Sequence, residues 1–254
     1  MIIALLPCFI GLCIGSFLNV LIDRIPRGES FLKGRSHCDF CLHQLRWYDL
    51  IPLLSFFLLK GRCRYCSKKI GWQYPIVELT TAILFILTFQ FSRQQSPVEI
   101  AFAFYVISVS IIIFYTDLWF GIIPDSILLI SSCITILFFL FEKEQFLSHI
   151  IGFFFAGGLF AFLYLITKKK GMGFGDVKFA AFLGLLFGIP LIILTLYVAF
   201  LTGSILALIL VVVRRKRFHN DTIPFGPFLA FGMVVVFFWG QSIWQLFTRL
   251  IFGW

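Results

Sequence analysis

The sequence predicts an all-α polytopic membrane protein of about eight transmembrane helices, with one small polar domain between the first helix and the second. Three observations predict it. Of 254 residues, 60% are hydrophobic and only 13% are charged, about half the charged share of a soluble domain. Apolar runs recur at the length that a hydrocarbon core about 30 Å thick requires, roughly 20 residues at 1.5 Å rise each. The basic residues gather in a few loops that fall on one side of those runs.

Backbone inside a bilayer must satisfy its own N–H and C=O groups, so only helices and closed barrels cross it. The runs are too long for barrel strands and show no strict in–out alternation, which leaves helices. Eight spans are expected at about 1–22, 76–92, 99–116, 126–141, 148–167, 177–188, 191–213 and 227–249. The fourth and sixth are short, and a turn at Gly188–Pro190 separates the sixth from the seventh. The run Met1 to Ile22 lacks the basic start and small-residue cleavage site of a secretion signal, so it is read as the first span.

With eight spans, loops 23–75, 117–125, 168–176 and 214–226 share a face. Counted with Lys178, that face holds 18 of the 21 Lys and Arg, leaving Arg93, Lys143 and Arg249 on the other. By the positive-inside rule the basic face is cytoplasmic and both termini lie outside. The net charge of +9 is thus a topology signal, not a basic face on a soluble domain, and no nucleic acid is expected as a partner. The expected organisation is a first transmembrane helix at 1–22, a cytoplasmic four-cysteine domain at 23–75 and a membrane-embedded domain at 76–254. No internal repeat or low-complexity segment stands out.

The polar piece, 23–75, is too small for a large core, and domains of that size often need a staple. Its staple is Cys38-Asp-Phe-Cys41 followed, after 21 residues, by Cys63-Arg-Tyr-Cys66. Two C-x2-C knuckles resemble a tetrahedral four-thiolate zinc site, with a spacer slightly above the usual range. Zinc there is structural, since metal binding holds together a loop without its own core. Arg62, Arg64, Lys68 and Lys69 are expected to favour the thiolates. Two disulfides are the alternative, which a cytoplasmic location disfavours. His37 and His43 flank the first knuckle as solvated loop residues, and His149 and His219 have no evident partner. Cys8, Cys13 and Cys133 lie in apolar spans, where a thiol behaves as a small hydrophobe.

Twelve acidic residues can be sorted one by one. Glu99, Glu142 and Glu144 fall near the outer face as solvated boundary groups. Asp23, Glu29, Asp39, Asp49 and Asp221 belong to cytoplasmic loops or their boundaries. Glu78 follows Tyr74-Pro75 at the start of the second span, where stabilisation of the helix start competes with a supporting role at a site. Asp117, Asp125 and Asp176 remain, all at the cytoplasmic boundary, where an ionisable group is a functional candidate.

Asp117 ends the third span, Asp125 follows Ile123-Pro124, and Asp176 closes Gly171-Met-Gly173-Phe-Gly175-Asp176 ahead of Val177 and Lys178. Gly173 and Gly175 suit an abrupt helix start with a close approach to a partner. The same run matches a truncated phosphate loop, but no strand precedes it and no G-K-[ST] follows. Two carboxyls sharing a site do not both ionise readily, so one keeps a proton while the other activates water. That chemistry attacks a peptide carbonyl without a nucleophilic side chain. Asp125 fits a helix cap. Asp117, at a helix end where carbonyls oppose negative charge, is expected to hold the proton, and Asp176 to act as the base. Lys178 is expected to snorkel to the interface or to orient Asp176.

Together these motifs resemble the prepilin peptidase (type IV leader peptidase) family of bifunctional peptidase/N-methyltransferases. The resemblance runs over nearly the whole chain: Gly15-Ser-Phe-Leu-Asn19-Val with Arg24-Ile-Pro26, the four cysteines with Trp47-Tyr48-Asp49 and Ile51-Pro52 between them, Tyr74-Pro75-x-x-Glu78, Asp117 with Ile123-Pro124-Asp125, Gly173-Phe-Gly175-Asp176-Val-Lys178, and Ile223-Pro224-Phe225-Gly226-Pro227-Phe228. It implies a GxGD aspartic membrane protease of the bacterial cytoplasmic membrane, with Asp117 and Asp176 as its catalytic pair. It implies prepilin or pseudopilin precursors as partners beside membrane lipid, cut after a short basic leader at the cytoplasmic face. It further implies methylation of the new N-terminus from S-adenosylmethionine through the cytoplasmic domain, for which no glycine-rich nucleotide loop is present. Asp39 stands where many members have proline, with no consequence expected for the metal. Two other classes compete: a proton- or cation-coupled transporter, whose sites usually lie nearer the midplane of the bilayer, and a zinc-stapled scaffold, which leaves the aspartates unexplained.

Overall fold

A computed structural model describes residues 5–31, 34–92, 94–142, 146–168, 171–213 and 224–252. Arg93, Lys143, Glu144, Lys169, Lys170 and the stretch 214–223, with its four basic residues, His219, Asp221 and Ile223, lie outside the described residues. The described residues are helical without a named strand. Eight of the helices fall where apolar runs were expected: α1 Leu5–Arg24, α3 Gln73–Phe91, α4 Pro97–Phe120, α5 Asp125–Glu142, α6 Phe146–Ile166, α7 Phe174–Phe187, α8 Leu191–Val212 and α9 Gly226–Phe252. Between α1 and α3 lie a single 3-10 turn, Trp47–Leu50, and the short α2, Leu54–Leu58. Six of these helices (α1, α3, α4, α6, α8 and α9) are long and apolar enough to cross a membrane. The chain is therefore a multi-pass membrane protein. α5 is apolar but shorter, and α7 has 14 residues, about 21 Å of helix.

Contacts divide the chain into two units, Met1–Ile112 and Ile113–Trp254, with the division falling inside α4. In the first unit α1 packs along α3. The approach is set by Gly11 and Gly15, one turn apart, where a Cβ would lie 2.7 Å from the Ala82 Cα and 2.8 Å from the Glu78 Cα. Without a hydrophobic drive between helices in lipid, such close backbone packing is a main source of association. Gly15→Leu is expected to cost more than about 3 kcal/mol by overpacking, read as loss of the monodisperse peak and of the melting transition in detergent.

α3 starts at Gln73, earlier than expected, because Pro75 occupies the first turn, where its missing N–H has no helical partner to lose. α4 starts with a capping box: the Ser96 N–H donates to Glu99 Oε2 at 3.1 Å and the Glu99 N–H to Ser96 Oγ at 3.3 Å, with Pro97 as the first helical residue. Glu99 is thus a capping group and not merely a solvated one; the Ser-x-x-Glu spacing carried that information.

In the second unit α7 makes contacts with α5, α6, α8 and α9. Phe179, Phe182, Leu183 and Leu186 are among its buried residues. A helix enclosed this way has little surface to present to lipid, so its length need not match the bilayer. Gly152 of α6 and Gly184 of α7 let the two backbones meet, since a Cβ at either would collide with the other's main chain. His149, for which the sequence offers no partner, places its Nδ1 2.8 Å from the Leu185 carbonyl and stacks on Phe139.

Candidate active site and thiol cluster

α4 continues three residues past Asp117 because Leu118-Trp119-Phe120 extends the apolar run. It ends where Gly121, at φ +64, takes the left-handed conformation and donates its N–H to the Asp117 carbonyl at 2.9 Å. Asp117 therefore sits in the last turn, not at the terminus, and its side chain is 6% exposed. Its Oδ2 accepts the backbone N–H of Gly226, the first residue of α9, at 2.9 Å. Asp176, 7% exposed, is the third residue of α7, and its Oδ2 accepts the N–H of Gly173 at 3.1 Å. The two carboxyls lie within electrostatic reach of each other. Both belong to the second unit.

The two glycines of the Gly-x-Gly-Asp run differ. At Gly175 a Cβ would lie 3.1 Å from the Ile123 side chain, a close approach of the expected kind. Gly173 adopts an ordinary extended backbone (φ −76, ψ 152), and a Cβ there would meet Asp176 Oδ2 at 3.6 Å. Conformation does not require glycine at 173; its N–H is what the aspartate uses.

Lys178 neither snorkels alone nor reaches Asp176. It donates to both oxygens of Asp125, at 2.8 and 2.7 Å, and lies over the Phe174 ring. Asp125 is the first residue of α5 and largely exposed, so this pair ties the start of α5 to α7 beside the Gly-x-Gly-Asp turn. Glu78 belongs to the first unit. It lies in the second turn of α3, not at the helix start, is 7% exposed, and accepts the Leu53 N–H at 2.8 Å. Leu53 has a left-handed backbone, φ 58, so the carboxylate anchors an otherwise unfavourable bend that leads into α2.

The four expected thiols converge. The Sγ atoms of Cys38, Cys41, Cys63 and Cys66 all lie within 4.8 Å of one another, and those of Cys38 and Cys66 are 3.8 Å apart. A tetrahedron with bonds of about 2.3 Å has edges of about 3.8 Å, so the set fits a zinc-sized ion. No cysteine among the described residues is in a disulfide. The knuckles repeat position for position, although the sequence shows no obvious repeat. His37 bridges Gln44 and Arg62 bridges Lys69. Cys38 donates to the His43 carbonyl and Cys63 to that of Lys68. Leu42 and Ser67, each following the second cysteine, take left-handed φ values of 55 and 57.

The amide groups of Cys41 and Phe40, with the neighbouring thiols, outweigh burial and bring Cys38 down to about 7. Cys66 goes the other way, to about 12: the Lys68 amide favours its thiolate, but burial and the other three sulfurs together outweigh that. Four sulfurs this close do not all ionise unless a cation joins them. His43 lies against Tyr65 across the two knuckles in a tilted ring pair with centroids 3.7 Å apart, and the cluster of possible ligands is made of the four thiols.

Arg64, expected to favour the thiolates, is engaged elsewhere. Its Nε donates to Asp49 Oδ1 at 2.7 Å, while Tyr65 Oη and the Arg46 N–H donate to Oδ2. The Asp49 side chain is 2% exposed. Burial alone would raise its pKa; the bonds from Arg64, Arg46 and Tyr65 prevail and hold it below the ordinary carboxylate value. The ionised carboxylate therefore contributes stability above about pH 4 that is lost as the pH falls through its folded-state value. Asp49→Asn is expected to speed limited proteolysis of the loop roughly fivefold at neutral pH, with the difference from wild type closing in acid.

An all-helical membrane protein with a buried aspartate pair and a four-thiol loop is the class that fold and site define. The chain matches two family models, "Bacterial Peptidase A24 N-terminal domain" over residues 9–91 and "Type IV leader peptidase family" over residues 104–208. It is 32% identical to a Prepilin leader peptidase/N-methyltransferase of Bacillus subtilis (strain 168), over 96% of this chain and 97% of that one. It is 28% identical to the protein so named in Pseudomonas aeruginosa, over 94% and 91%, and 31% identical to that of Aeromonas salmonicida, over 94% and 92%. No solved structure matches. The chain belongs to the type IV leader peptidase family and is an enzyme of that family.

Proposed function

We propose that this protein is an aspartic endopeptidase of the bacterial cytoplasmic membrane that removes the short basic leader of type IV prepilin or pseudopilin precursors at the cytoplasmic face. One observation carries the reading: Asp117 and Asp176, far apart in sequence, are both buried and within electrostatic reach of each other. A helix start favours negative charge and a helix end opposes it, so Asp176 is the base at rest and Asp117 holds the proton. Asp176 takes a proton from water as its oxygen attacks the scissile carbonyl, and Asp117 passes its proton to the carbonyl oxygen. Collapse of the resulting diol breaks the C–N bond, the amine leaves with a proton from the pair, and the carboxyls are ready for another water. Asp125, Lys178, Gly173 and Gly175 support the turn that carries Asp176, and Glu78 supports the first unit.

Zinc is the metal proposed for Cys38, Cys41, Cys63 and Cys66, where it staples the loop and takes no part in hydrolysis. The same protein methylates the new N-terminus. A cavity of about 530 Å³ in the first unit, within the usual size range of small-molecule sites, lies beside the thiol loop and is lined by Asn19, Asp23, Phe56, Tyr74 and Glu78 among others. Asp23 is held there by the Tyr74 hydroxyl at 2.8 Å and by Gln73, and Tyr74's carbonyl by Asn19. Carboxylates and aromatic faces fit S-adenosylmethionine, which supplies an electrophilic methyl group when bound. The gathering of basic residues in a few loops supports a cytoplasmic side for the thiol domain and the aspartates. The relatives' names give the transporter reading no support.

The test mixes detergent-purified protein with a pilin precursor, with and without S-adenosylmethionine, and reads the product N-terminus by mass spectrometry. A shortened product in both reactions, heavier by one methyl group only with the donor, is expected. An intact precursor in both would refute the peptidase reading, and an unmethylated product in both would refute the transferase reading alone.

A further inference from the structure

The segment Phe225-Gly226-Pro227-Phe228 lies more than a hundred residues from Asp117 in sequence, yet its Gly226 N–H donates a hydrogen bond to Asp117 Oδ2 at 2.9 Å. The contact leaves no room for a side chain. A Cβ at Gly226 would stand 2.5 Å from Asp117 Oδ2, 2.9 Å from its Cγ and 3.1 Å from its Cβ. Gly226 has no left-handed φ, so backbone strain is not what demands glycine here. The demand comes from the aspartate. Pro227 follows as the second residue of α9, where its missing N–H costs no helical bond, and the Gly226 N–H is one of the free donors of a helix start. The turn is braced on its other side: Phe225 packs on Phe160, Phe200 and Phe228.

We infer that Gly226 is a positioning residue for the peptidase: its N–H and its missing side chain together fix the Asp117 carboxyl. The inference rests on the aspartate reading above. An oxygen that accepts a backbone N–H along one lone-pair direction is the poorer place for a proton. Oδ2 is thus kept as acceptor, and the proton Asp117 donates resides on Oδ1. Gly226 touches neither water nor peptide in this scheme; it acts through Asp117. A displacement of about 1 Å in a catalytic group costs on the order of a hundredfold in rate, and a Cβ at 226 demands a displacement of that order.

The test compares Gly226→Ala with wild type on a pilin precursor in detergent, measuring kcat, KM and the pH profile of kcat. Expected are a kcat lower by roughly 10- to 100-fold, a KM within about twofold, and a displaced acid or basic limb, which a merely structural lesion would not move. Gly203→Ala is the control. Gly203 faces the same phenylalanines, but a Cβ there lies at an ordinary 3.4 Å from Phe225, and near wild-type activity is expected. Should Gly226→Ala melt too low to assay, the melting temperatures of Asp117→Ala and Asp117→Ala/Gly226→Ala decide. If the carboxyl is what Gly226 accommodates, alanine at 226 lowers the melting temperature far more in wild type than in the Asp117→Ala background. Equal losses in both backgrounds, or a Gly226→Ala enzyme with wild-type kcat and pH profile, overturn the inference. An active Asp117→Asn enzyme would instead overturn the aspartate reading, so the two failures are distinguishable.

Discussion

Asp117→Asn and Asp176→Asn are each expected to lower cleavage of a pilin precursor by at least about a thousandfold while leaving the melting transition and metal content near wild type. Asparagine keeps the shape and still accepts the bond from Gly226 or Gly173, so the fold has little reason to respond. It can neither take a proton from water nor give one to the carbonyl oxygen, and general acid–base transfer alone is worth about 10²–10⁴ in rate. The double variant should be no worse than either single one, because in the proposed scheme the two groups serve one water and their effects are not additive. Methylation of a precursor supplied already cleaved should persist in both variants, since the proposed methyl-donor cavity is lined wholly by residues of the first unit. A single variant cleaving at even a tenth of the wild-type rate would end the aspartate assignment.

The second large effect concerns the thiol loop. Cys63 is the most buried of the four cysteines, and Cys63→Ser or a strong chelator is expected to release about one zinc per chain and open residues 23–75 to protease. The free energy at stake is on the order of 10–16 kcal/mol for structural zinc at neutral pH, more than a loop with so little core replaces. Binding displaces protons from the thiols, so affinity falls as the pH falls, and acidification should release the metal that neutral buffer retains. Elemental analysis after gel filtration reads the metal, and limited proteolysis reads the loop. Full metal occupancy in Cys63→Ser would mean that the tetrad is not the ligand set.

Much of this was legible in the chain because the information is local. An apolar run announces a helix through its own length. C-x2-C announces a knuckle because its two sulfurs are placed by the same few backbone bonds, here Cys38 to His43 and Cys63 to Lys68. Ser96-x-x-Glu99 holds equally local information, but Glu99 was read as a solvated boundary group and its capping bonds came from the structure. The helix ends were less legible: α4 runs on to Phe120 because nothing before Gly121 stops it, and α3 begins at Gln73 because Pro75 is tolerated in a first turn.

Partnerships across long stretches of chain had no local trace. Lys178 looked like an interface residue, and only the meeting of α5 and α7 hands it to Asp125. Glu78 was open between a helix-start group and a supporting role at a site, and only the bend at Leu53 gives it an N–H to hold. Gly226 sat inside a recognisable motif with no assigned task until α9 began against the end of α4.

The sequence by itself determined that the chain enters a membrane as helices, carries two C-x2-C knuckles in one loop, and sets three aspartates at the ends of apolar runs. Each of these follows from hydrophobicity, spacing or charge within a short window. Tertiary structure decided which aspartates are buried together, which one is tied to a lysine, and which backbone N–H fixes Asp117. A side chain's partner is whatever packing brings within about 3 Å, and helices that pack side by side leave no mark of that adjacency in the order of residues along the chain.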